Sequence, residues 1–157
     1  MSGTFDFKAI ADAIATRFSS ANVTAPSGAT NVRVSSASLP DAITAEPTVL
    51  VFPVETADFD FESSTRTGVA RFPVRFYIYR VRDTSRNAVL LNNWATVLYG
   101  QLDGKVQLGL GSYVAYSVIK SFGVGPLTYG EGDSAVRFHG IEFSVEVHLA
   151  EGIAFTA

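Results

Sequence analysis

The longest alternation of apolar and polar residues in the chain runs from Arg66 to Asp83 and predicts an extended strand. Read with a period of two, it sets Phe72, Val74, Phe76 and Ile78 on one face and Arg71, Arg75, Tyr77 and Tyr79 on the other. The first face suits a core. The second mixes charge with amphipathic rings, a combination that contact surfaces favour. Arg80 and Arg82 share the parity of the apolar face, so they are expected where the strand runs past the core into solvent. A second alternation, Ala135 to Leu149, divides as cleanly: Ile141, Phe143, Val145, Val147 and Leu149 oppose Glu142, Ser144, Glu146 and His148.

Helical spacing occurs twice. Phe7, Ile10, Ala11, Ile14 and Phe18 follow Asp6, a good N-cap, with Phe5 and Ile10 placed as a hydrophobic staple, and predict a helix to about Ser19. Leu90, Leu91, Trp94, Val97 and Leu98 predict a second, from a cap at Asp83 or Thr84 to about Tyr99, with Gly100 just beyond its end. Residues 20–46, rich in Ser, Ala, Thr and Asn, read as a long surface connection with a short strand at 31–34 and a helical turn at 40–43. Thr48 to Val54 lies between Pro47 and Pro53, which predicts a strand at a sheet edge. Residues 55–67, with carboxylates and rings alternating from Asp58 to Glu62, read as an acidic loop. Tyr113 to Phe122 reads as a strand, and Gly123, Gly125, Pro126, Gly130 and Gly132 as a loop. The order α-β-β-α-β-β predicts one α+β domain over 1–157, a mainly antiparallel sheet with two principal helices packed on one face.

Composition narrows the function. A chain of 157 residues buries roughly 70% of its unfolded surface and needs no covalent staple. Hydrophobic residues make up 47% against 17% charged, and the mean hydropathy is +0.22, which points to apolar surface shared with another subunit. A net charge of −3 disfavours a basic nucleic-acid-binding domain. The absence of cysteine removes disulfides, thiolate metal sites and a cysteine nucleophile. Neither a secretory signal nor a membrane span is expected.

Candidate chemistry thins on inspection. Glu142, Glu146 and His148 share a strand face and could hold a metal, but His139 falls on the opposite face, and a solvated or subunit-contacting row is the favoured reading. From Asp58 a calcium loop would need Gly where Ser63 stands and Glu where Val69 stands. Gly130-Glu131-Gly132 has the letters of a dinucleotide fingerprint but opens a strand, so no helix N-terminus awaits a pyrophosphate. Gly104-Lys105-Val106 lacks the hydroxyl of a P-loop. The arginine series Arg66, Arg71, Arg75, Arg80, Arg82 and Arg86 is read as a salt-bridged or subunit-contacting face. No catalytic residue, cofactor or metal is expected. The surface expected to meet a neighbouring subunit comprises Asp58, Asp60, Glu62, Arg71, Arg75, Tyr77 and Tyr79.

In layout the chain resembles the tail terminator, or tail completion, proteins of long-tailed bacteriophages. The resemblance lies in FDFKAIADAIATRF at Phe5–Phe18, the turn Leu39-Pro40-Asp41-Ala42-Ile43 leading to PTVLVFP, RFPVRFYIYRV from Arg71, LLNNW from Leu90, and IEFSVEVHL from Ile141. It implies a compact structural subunit, not an enzyme, that assembles as a homohexameric ring on the head-proximal end of the tail tube. Such a ring ends tube growth and joins tail to head, with the tail tube protein and a head-tail connector protein as partners and DNA passing through. Its place would be the virion, after assembly in the host cytoplasm, with no membrane involved. The alternatives are a head-tail connector or stopper, and a small metal-dependent enzyme using Glu142, Glu146 and His148.

Overall fold

The computed structural model describes residues 5–62, 64–81, 87–102 and 107–152. Helix α1 (Phe7–Arg17) begins where predicted: the Asp6 carboxylate accepts the Ala9 N–H at 3.0 Å. Its buried stripe is Ile10, Ala11, Ile14 and Ala15. Helix α2 (Asn87–Gly100) buries Leu91, Trp94 and Leu98. The strands are β1 (Val34–Ser36), β2 (Thr48–Val51), β3 (Thr56–Glu62), β4 (Thr65–Arg80), β5 (Val114–Tyr129) and β6 (Val136–Gly152), with a 3-10 turn at Gly132–Ser134.

The fold is α+β. One six-stranded sheet runs in the order β1-β2-β4-β6-β5, and β3 continues the β2 side of β4 beyond the end of β2. Among the described residues only β1 and β2 pair in parallel. Residues of both helices join Phe72, Val74, Phe76, Ile141, Phe143, Val145, Val147 and Leu149 in one core, so both helices cover the same face of the sheet. Edge-on aromatic pairs fix that packing: Phe76 meets Trp94 at 4.8 Å between ring centroids, and Phe18 meets Phe143 at 5.2 Å.

Several expectations are corrected. The acidic stretch in 55–67 is strand β3 and the start of β4, because its own Asp-Phe alternation has the period of a strand and its backbone pairs with β4 from Thr56↔Arg71 to Glu62↔Thr65. Strand β2 is not an edge, since β1, drawn from the 20–46 connection, lies outside it. Strand β5 continues through Gly123, Gly125 and Pro126, which β6 pairs as far as Tyr129. Gly100 is the last residue of α2. The predicted cap at Asp83 or Thr84, Arg82, Arg86, Gly104 and Lys105 lie outside the described residues. Among the described residues no helix is long and apolar enough to cross a membrane.

Candidate functional site

The sheet face away from the helices carries the predicted contact residues, and cross-strand pairing organises most of them. Arg71 stands directly opposite Glu146, and Arg75 opposite Glu142. Their ion pairs measure 3.4 Å and 3.6 Å. Glu146, although on this open face, is almost fully buried. His148 Nε2 lies 2.8 Å from its Oε1, Lys120 Nζ lies 3.9 Å away, and the imidazole stacks on Tyr116 at 4.1 Å. The two strand arginines therefore have carboxylate partners within their own chain.

A register shift changes which residues share this face. Tyr77 pairs with Gly140 and Tyr79 with His139, so Ile78 is an extra residue in β4. Such a bulge places two consecutive side chains on one side and reverses the parity that follows. Ile78 is buried in the helix-side core, and Tyr79 packs against that core rather than joining Arg71 and Arg75. Arg80 passes to the outer face, where it pairs with Glu46 at 3.3 Å and lies 6.0 Å from the Phe138 ring centroid. Both assignments made from a strict period of two are thus reversed. His139 does lie opposite the Glu142, Glu146 and His148 face, as expected.

Tyr77 is on the predicted face but is fully buried. With Ile43, Leu50 and Phe138 it forms a second, small core under the 37–46 connection, and Tyr129 stands edge-on to it at 5.5 Å. The Tyr129 hydroxyl donates to the Pro40 carbonyl, pinning that connection. Burial pushes the Tyr77 phenol above its ordinary range, partly opposed by the Arg75 guanidinium beside it. Tyr77 is therefore an anchor for the connection and presents no ring to a partner.

The three carboxylates behave differently. Phe59 and Phe61 face the helix side of the β3–β4 hairpin, and Asp58, Asp60 and Glu62 face the other side, all exposed. Phe59 lies against Gly68, where a Cβ would come within 2.6 Å of the ring, and Phe5 stacks on it at 5.6 Å. The Arg66 guanidinium sits 4.8 Å from the Phe5 centroid and about equally far from Phe59 and Phe61, at 5.9 and 6.0 Å. It is ion-paired with buried Glu151. The hairpin is thereby fastened on one side and leaves an acidic row on the other. Among the described residues Asp58, Asp60 and Glu62 make no ion pair.

Of the seven predicted contact residues, then, Arg71, Arg75, Asp58, Asp60 and Glu62 reach one open face, Tyr77 is sealed within it and Tyr79 leaves it. Lys120, at the second β5 bulge, was not anticipated. Its one signal in the sequence is a lone cation inside the long uncharged run from Val106 to Gly130. No group of three or more His, Asp or Glu side chains gathers as a metal-ligand set among the described residues. Compared with protein-family models and with curated proteins, the chain matches none.

Proposed function

We propose that this chain is a structural subunit that closes into a ring on the head-proximal end of a bacteriophage tail tube, ends tube growth and joins the tail to the head. The observation that carries the reading is the row Asp58, Asp60 and Glu62: three carboxylates on an edge strand, alternate residues roughly 7 Å apart, with no ion pair to another described residue. Like charges so placed repel one another, and a neighbour's cation relieves that cost. Support also comes from the sheet, whose β3 and β5 edges are both open among the described residues. A closed ring covers such edges and leaves none on which to polymerise.

The test is electron microscopy of particles assembled without this protein. Overlong tails are expected. Tailless heads beside tails of normal length would instead assign it to the head-tail connector, and unaltered particles would remove the chain from tail assembly.

A further inference from the structure

We propose that residues 39–46, the part of the connection that lies on the open face, form a cover that lifts off the sheet while the rest of the fold stays intact. Within this segment only Ile43 is buried, and it alone enters the small core of Leu50, Tyr77 and Phe138. Among the described residues the segment makes no backbone–backbone hydrogen bond. Side chains hold it instead. The Tyr129 hydroxyl donates to the Pro40 carbonyl, and the Thr48 hydroxyl donates to the Ala45 carbonyl at 2.6 Å. The Arg80 guanidinium donates to the Ile43 carbonyl at 3.4 Å and pairs with Glu46 at 3.3 Å. A segment with one buried anchor and so few ties opens at a fraction of the cost of global unfolding.

The packing beneath the cover is incomplete as well. A cavity of about 120 Å³ lies between it and the β5–β6 turn, bounded by Asp41, Ile43, Arg80, Tyr129, Gly130 and Phe138. Dispersion contacts are missing across such a space, so the cover is held less strongly than a fully packed element. The floor is built differently. Leu50, Tyr77 and Phe138 belong to β2, β4 and β6, which pair with one another and not with the cover. Lifting therefore costs the sheet no pairing. It bares three apolar side chains and frees Arg80 from Glu46, so the open face gains an apolar surface with a cation beside it. The cover is thus a device that hides or presents this surface.

The chain contains no cysteine, so one introduced thiol in the full chain reports opening through its reaction with a soluble disulfide reagent. Val49 and Leu50 are neighbours on β2, both fully buried, and they point into opposite cores, Val49 beneath the helices and Leu50 beneath the cover. Leu50→Cys is expected to react roughly a hundredfold faster than Val49→Cys, because local opening exposes only the first. Adding Tyr129→Phe with Arg80→Leu removes the ties from both side chains. It should accelerate Leu50→Cys about tenfold further and leave Val49→Cys unchanged. Ile43→Cys, on the cover itself, should also react about a hundredfold faster than Val49→Cys, and it serves if Leu50→Cys does not fold. Urea unfolding of each variant separates local opening from a general loss of stability. Equal rates at the cover and at Val49→Cys, whether fast or slow, would overturn the proposal, since the segment would then leave only with β2 or with the whole sheet.

Discussion

Gly140→Ala is expected to lower the stability of the fold by about 2–3 kcal/mol, read from urea unfolding. An added Cβ at this position would come 2.3 Å from the Phe76 carbonyl oxygen and 2.7 Å from Leu127 Cδ1. A leucine methyl can turn aside. The carbonyl cannot, because Phe76 belongs to the β4–β6 ladder, opposite Ile141 and one residue from the Tyr77/Tyr79 bulge. Glycine is what lets the two backbones approach as the bulge tightens the local twist. Pairing the change with Leu127→Ala should therefore recover little. A loss below about 0.5 kcal/mol, the level of an inconsequential surface change, would show that the bulge relaxes freely.

Glu151→Ala should cost about 2–3 kcal/mol, for a different reason. Glu151 is 6% exposed and its partner Arg66 28%, the guanidinium lying beneath Phe5, Phe59 and Phe61. Removing the carboxylate leaves a partly desolvated cation among rings, which costs more than the pair ever contributed. The damage should be local. Amide exchange in β3 is expected to accelerate while β2 keeps its protection, since Arg66 and Glu151 tie down the hairpin and not the centre of the sheet. Replacing both partners, as Arg66→Met with Glu151→Leu, should restore most of the loss. A single variant as stable as the double would mean that water already satisfies the cation.

Much of this was legible in the sequence wherever one physical rule acted alone. Asp6 capping α1, the stripe through Ile14, and the divided faces of β6 follow from local hydrogen bonding and periodicity, and no distant residue competes with them. The acidic strand was misread because Asp and Glu disfavour strands, so β3 was taken for a loop although its alternation was in view; pairing with β4 outweighs that preference. Glycine and proline likewise concealed the second half of β5, which β6 holds along its length. The bulge at Ile78 left no mark in the sequence. A period of two assumes an unbroken ladder, and one added residue moved Tyr79 and Arg80 to opposite faces from those expected. The burial of Tyr77 depends on Ile43, more than thirty residues away in the chain, a contact that only the folded connection brings about.

The separation of the site into paired and unpaired charges also belonged to the fold. Arg71 and Arg75 looked like the natural partners of a neighbour's carboxylates, yet β6 supplies Glu146 and Glu142 directly across from them. What remains for a neighbour is the acidic row itself, since Lys120 too lies 3.9 Å from Glu146.

The most direct test is native mass spectrometry of the full chain beside its Asp58→Lys, Asp60→Lys and Glu62→Lys triple variant, which reverses the charge of the acidic row on β3. The unaltered chain is expected to give closed rings of one size, and the triple variant to lose them. An unaltered chain that stays monomeric, or a triple variant that closes rings as readily, would contradict the account.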